Sequence, residues 1–189
     1  MFGTGLQAKA HIRAIAADSR IERVLIVGIE RVAQTLDEMQ VCFPDKRFEA
    51  SEAQAAVPAA DVLVTATRSI APLFDGAQVK PGAFVAAIGS SKPDARELDD
   101  TVLARAGRIV VESLEQARLE AGDLLMARQG IVDWDNVIEL GHAVLNGTTQ
   151  AGASAEGITV FKSLGFGLAD VALAGLVTRR MTGERVRTE

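Results

Sequence analysis

Short, uninterrupted apolar runs recur along this chain, each too brief for a helix and each followed by a turn or a helical pattern. RVLIV at 23–27, DVLVTAT at 61–67, AFVAAIG at 83–89 and RIVVES at 108–113 are of this kind. A strand covered by helices on both faces has no polar side, so continuous apolar runs point to a parallel sheet. The intervening segments have the other period. QAKAHIRAIAADS puts Ala8, Ile12 and Ile15 on one stripe, and a second helix runs through Val32, Leu36 and Met39. ARELDDTVLARAG reads as containing a helix that Gly107 stops, and a last helix is expected from about Gly165 to Arg180. Turn signals fill the gaps at Pro72 with Asp75-Gly76, at Pro81-Gly82 and at Pro93-Asp94, and AGASAEG (151–157) is the most linker-like stretch, leading into ITVFKS. The alternation predicts a doubly wound parallel α/β sheet.

Composition narrows the functional classes. At 189 residues, 48% hydrophobic and 24% charged, the chain has the balance of one globular domain. A net charge of −5 with scattered basic residues argues against nucleic acid as a partner. Cys42 is the only cysteine, which rules out an internal disulfide, suits a cytoplasmic location and reads as a small buried apolar residue. His11 and His142 have no second ligand at zinc spacing, so no metal site is expected. SLGFGLADVALAGLV is 15 residues long and carries Asp170, short of the roughly 20 that a membrane span needs. The N-terminus has no signal-peptide pattern.

The stretch with the clearest chemistry is Gly3-x-Gly5-x-x-Ala8, which opens the first helix only two residues into the chain. In a dinucleotide fold the first glycine makes the tight turn and the second lets the backbone approach a pyrophosphate. The small third residue lets helix and strand pack closely, and the helix end offers free N–H groups. The bland alternative is an ordinary glycine turn. At the tip of the next strand, Val27-Gly28-Ile29-Glu30-Arg31 has glycine where an NAD-selecting acid is expected. Arg31 suits a 2′-phosphate and Glu30 suits ribose hydroxyls, which leans the reading toward NADP over NAD. Both charges read equally well as solvated residues at a helix start. His11, about a turn and a half into its helix, reads as a packing or surface residue, and Trp134 as packing.

Six stretches together carry a family resemblance: GTGLQAKAH, ADVLVTATRSIAPLFDG, VKPGAFVAAIGSSKPDARELDD, LEAGDLL, IELGHAVLNG and ITVFKSLGFGLAD. In this order, and over nearly the whole chain, they resemble the ornithine cyclodeaminase/mu-crystallin family. The resemblance implies a Rossmann domain that binds NAD(H) or NADP(H). It places Gly3, Gly5, Leu6, Gln7 and Ala8 at the pyrophosphate, and Thr65, Ala66 and Thr67 along the path to the nicotinamide. Val85, Ala86, Ala87, Ile88, Gly89 and Val160 would approach the ring, with Lys162 of the F-K-S segment near it. The local reading of Lys162 is a solvated lysine at a helix start.

Family members differ in chemistry. Ornithine cyclodeaminases carry an aspartate where Ser91 aligns, and a serine without a partner is no general base at neutral pH. The Ser-Lys-Pro-Asp form is more similar to the ketimine reductases, in which NAD(P)H delivers hydride to a cyclic imino acid and yields an amino acid such as proline or pipecolate. Ser91 is then the catalytic candidate, holding a water or orienting substrate, against a plain loop-capping role. Ala86 departs from the asparagine often found there. The alternatives are ornithine cyclodeaminase and a non-catalytic NAD(P)H-binding module.

The resemblance also implies a domain preceding the glycine turn, which binds the substrate and builds most of the homodimer surface. That domain is not in this sequence, so residues 1–189 are expected to form the cofactor domain with a C-terminal helical extension. The first Rossmann strand is expected to be lacking too, because Phe2 is the last residue before the turn. Such a chain is expected to begin downstream of its family's start and to lack a complete substrate site, its central strand missing and two hydrogen-bonding ladders open.

Overall fold

The computed structural model describes residues 1–145 and 157–182. Their elements follow one another as α1 (Leu6–Ala16), β1 (Arg23–Ile26), α2 (Val32–Cys42), β2 (Arg47–Ala50), α3 (Ala53–Ala59) and β3 (Val62–Thr65). A short 3-10 turn at Gly76–Gln78 leads to β4 (Phe84–Ala87), α4 (Asp100–Ala104), β5 (Ala106–Val111), α5 (Leu114–Glu120) and α6 (Gly122–Leu125). The chain then runs through β6 (Val137–Glu139), α7 (Leu140–Leu145), β7 (Ile158–Lys162) and α8 (Gly167–Thr182).

All pairings are parallel, in two sets: β2 beside β1, and β3-β4-β7-β5-β6. Met1 and Phe2 join them. On one side Phe2 N–H donates to Val64 O at 2.8 Å and its carbonyl accepts from Ala66 N–H at 2.9 Å. On the other, Val27 N–H donates to Met1 O at 2.9 Å and Gly3 N–H to Val27 O at 2.8 Å. The full order is therefore β2-β1-(Met1-Phe2)-β3-β4-β7-β5-β6. Met1 and Phe2 close the downstream end of the gap between β1 and β3. Upstream of them the gap remains as a cavity of about 350 Å³, lined by Val24, Leu25, Val62 and Leu63 with Ile12 and Ala56.

Strand alternation sorts the core onto two faces. Phe2, Leu63, Val85, Ala87 and Val160 join α3, α4 and α5 on one face. Met1, Val64 and Ala86 join Ala8 and Ile12 of α1 and Met39 of α2 on the other. Helices on both sides make the sheet doubly wound, as the apolar runs require.

Several expectations need correction. Residues 23–27 are not buried on both faces: Val24 and Leu25 are half-buried because the neighbouring strand place is open beside them. The helix in 95–107 ends at Ala104, and Gly107 lies inside β5, at a register shift between Ala106 and Arg108, so it bulges the strand instead of capping the helix. Cys42 is exposed at the end of α2, not buried. The linker-like 151–156 lies outside the described residues. α8 buries none of its described residues and exposes Leu168, Val171 and Met181, and among the described residues no helix is long and apolar enough to cross a membrane.

Candidate dinucleotide site at the switch point of the sheet

Parallel sheets of this kind open a crevice where the strand order reverses direction. Here the chain winds outward from Phe2 to β1 and β2 on one side, then returns to β3 on the other. The glycine turn leaves the sheet at that reversal. Gly3 has φ 108°, and a Cβ on it would stand 2.5 Å from the Ala66 carbonyl oxygen. Only glycine fits that close crossing. Gly5 differs: a Cβ there would meet nothing within 4 Å, so the space beside the first turn of α1 is open.

α1 begins at Gly5 with no side chain capping it and no acid in its first turn. By contrast, Asp99 caps α4 and Ser113 caps α5 through their own side chains. The end of α1 therefore keeps its N–H groups for an outside acceptor, the arrangement that suits a phosphate. Leu6 and Gln7 are exposed there, while Ala8 is fully buried against the sheet, as a small third residue should be. The turn thus fits a dinucleotide's pyrophosphate. Ile29 in the loop after β1 and Ile70 in the loop after β3 are both exposed at this end of the sheet. At the tip of β1, Arg31 is exposed and left-handed (φ 54°) at the uncapped start of α2, whose first turn holds no acid. Glu30 is exposed too, and its carbonyl accepts from the Thr4 hydroxyl at 2.8 Å.

The other predicted contacts divide into two groups. Ala66, Thr67, Ile88 and Gly89 sit on the loops at the downstream ends of β3 and β4, and exposed Ser91 lies just beyond them. Val85, Ala87, Val160 and Lys162 are 0% exposed and Thr65 is likewise enclosed, so these side chains shape the site from beneath instead of lining it. Lys162 also corrects the local expectation of a solvated helix-start lysine. It ends β7, and its ammonium turns inward onto the carbonyls of Ser90 and Ala87.

Beneath the loops lies a polar cluster organised by two acids, Glu97 and Asp123, that the sequence reading missed. Each oxygen of the buried Glu97 carboxylate accepts from one threonine hydroxyl and one backbone amide. Oε1 takes Thr67 Oγ1 at 2.6 Å and Thr67 N–H at 2.8 Å, and Oε2 takes Thr65 Oγ1 at 2.8 Å and Gly89 N–H at 2.9 Å. Asp123, also fully buried, accepts from the amides of Glu97 and Leu98 through Oδ1 at 2.7 and 2.8 Å. Its Oδ2 faces the Lys162 ammonium at 3.0 Å. The two acids fall in DARELDD and AGDLL, where the only sequence hint was a set of acids flanking apolar positions. His11 is peripheral: its Nδ1 stands 2.9 Å from the Gln7 carbonyl one turn back. Trp134 is half-buried, with the Arg118 guanidinium 4.9 Å over its ring.

Fold and site together define a Rossmann-type α/β domain whose glycine turn sits at the switch point. The ornithine cyclodeaminase/mu-crystallin family model matches residues 1–185, and the chain belongs to that family. It is 36% identical over 183 residues to the ketimine reductase mu-crystallin of Mus musculus, covering 94% of this chain and 53% of that protein. Among solved structures it superposes on a probable ornithine cyclodeaminase from Bordetella pertussis Tohama I with TM-score 0.90 at 39% identity, covering 98% of this chain and 59% of that one. It also matches the Thermococcus litoralis Δ1-pyrroline-2-carboxylate reductase in complex with NADH and L-proline, with TM-score 0.85 at 25% identity and coverage of 99% and 59%. The chain thus spans little more than half the length of the relatives it matches.

Proposed function

We propose that residues 1–189 form the cofactor-binding half of an NAD(P)-dependent ketimine reductase that acts on a small cyclic imino acid such as Δ1-pyrroline-2-carboxylate or Δ1-piperideine-2-carboxylate. The observation that carries this reading is the uncapped end of α1, entered through Gly3 and Gly5 at the switch point of the sheet. The relatives named as ketimine and pyrroline-2-carboxylate reductases supply the substrate class. The bound nicotinamide would supply hydride to the imine carbon while a proton joins the nitrogen, giving the saturated amino acid. Gly3, Gly5, Leu6 and Gln7 hold the pyrophosphate, and the loops carrying Ala66, Thr67, Ile88 and Gly89 hold the remainder. Groups for the substrate carboxylate, and most of a homodimer surface, fall to the portion of the longer relatives that this chain does not match.

Exposed Arg31, at a helix start without acids, favours NADPH over NADH. Ornithine cyclodeaminase activity is disfavoured because Ser91 offers no proton acceptor. Dinucleotide at a hundred times its dissociation constant should stabilise the fold by about 2.7 kcal/mol. A melt raised more by NADPH than by NADH at equal concentration supports the proposal, and Arg31→Ala should remove the preference. Cofactor oxidation dependent on the cyclic imine selects the reductase. Ammonia release from ornithine selects the cyclodeaminase, and binding with neither activity leaves a non-catalytic module.

A further inference from the structure

We infer that Glu97 is a positioning residue for the dinucleotide loops, held in place from behind by Asp123 and Lys162. The inference rests on the cofactor reading above, but its structural half stands on hydrogen bonds alone. The two loops that must take the nicotinamide half of a dinucleotide follow β3 and β4. One carboxylate ties them together: Thr67 N–H on the first and Gly89 N–H on the second each donate to a different oxygen of Glu97. Both threonine hydroxyls also spend their protons on it. Neither hydroxyl then has a proton left to donate to a ligand.

The fit is tight. A Cβ on Gly89 would stand 2.4 Å from Glu97 Oε1 and 2.4 Å from Thr67 N, so Gly89 is glycine because the carboxylate lies against it. Behind Glu97, Asp123 holds the amides of Glu97 and Leu98. Gly122 packs so closely on the 92–95 loop that a Cβ would meet the Ala95 carbonyl oxygen at 2.1 Å. Lys162 couples Asp123 to the carbonyl of Ser90, the residue before the catalytic candidate Ser91. The backbone of both loops is therefore set by one connected buried cluster.

Glu97→Gln tests this sharply. Whichever way the amide is turned, its NH2 faces one backbone N–H, which loses its acceptor, whereas a threonine hydroxyl can reverse its role. The dissociation constant for NADPH or NADH should rise at least tenfold in Glu97→Gln at a temperature where it remains folded. Leu103→Ala, a buried substitution in α4 away from these loops, serves as a control for general destabilisation and should change it less than twofold. Thr65→Val covers the case in which Glu97→Gln does not fold. It keeps the shape, removes one bond to Glu97, and should weaken binding about threefold. Amide hydrogen exchange at Thr67 and Gly89 should accelerate selectively in either variant, with or without cofactor. If the parent protein binds neither dinucleotide, the functional reading fails and exchange alone decides the positioning role. Unchanged binding in a folded variant, or unchanged exchange at those two amides, overturns it.

Discussion

The two ends of this parallel sheet are built on opposite principles. At the downstream end, Glu97, Asp123 and Lys162 are fully buried, and their polar atoms find partners across β3, β4, β7 and α6. At the upstream end, the centre of the sheet is an open slot, and the ammonium of Met1 donates to the Leu25 carbonyl at 2.9 Å beside a cavity of about 350 Å³. One end has its charges enclosed and its loops fixed; the other has an open cavity beside β1 and β3. Buried, fully partnered groups make a rigid scaffold for ligand loops, whereas an unfilled apolar slot leaves stability to a few contacts.

The largest effect is expected where a charge would be stranded. Lys162→Met leaves the Asp123 carboxylate without its cation, and breaking a buried pair from one side costs about 3–5 kcal/mol. Urea unfolding should show that loss, and adding Asp123→Asn should recover part of it. A single-variant cost below about 1 kcal/mol would break the comparison. Phe2→Ala tests the other end. Phe2 is 2% exposed, its ring centroid lies 5.1 Å from that of Phe74, and its backbone joins the two sets of strands. Removing a buried phenyl ring costs about 3–5 kcal/mol, and the open slot beside it puts the expectation at the lower figure.

Third comes pH. Burial of the Met1 amino group lowers its pKa from 8.0 to about 6, because the charged form loses hydration. The unfolded chain then binds more protons than the folded one between those values, so stability rises with pH across that window. The gain by pH 8 is about 2 kcal/mol over pH 6, and well below 6 the full penalty applies. Urea midpoints of the 189-residue chain with its amino terminus free should show the rise, and N-acetylation should flatten it.

How much of this was legible depends on which physics each residue reports. Continuous apolar runs gave β3, β4 and β5 because their neighbours on both sides are present, and the glycine spacing gave the turn at the switch point. The same logic misjudged Val24 and Leu25, whose burial depends on a neighbour that the local run does not reveal. β2 went unseen because RFEA alternates with charge at the edge of the sheet, where solvent tolerates it. Glu97 and Asp123 were invisible for a different reason: burial of an acid is decided by donors brought from distant segments, and acids in a loop read as solvated. Family resemblance drew attention to Lys162, but only the fold shows its ammonium turned inward.

The smallest effect isolates what burial does to a charge pair. Arg23 and Glu49 join β1 to β2 at 2.7 Å, shorter than the 3.0 Å between Lys162 and Asp123, yet their side chains are 49% and 43% exposed. Water screens such a pair and ordering two long side chains opposes it, so its coupling energy should be below about 1 kcal/mol. A double-mutant cycle with Arg23→Ala and Glu49→Ala measures it directly. Repeating the cycle in about 1 M salt, where the screening length falls to about 3 Å, should erase the Arg23–Glu49 coupling. The Lys162–Asp123 coupling should survive, because no ion reaches it. Equal couplings for the two pairs, or equal loss in salt, would mean that the downstream cluster is no more sealed than the sheet's outer edge.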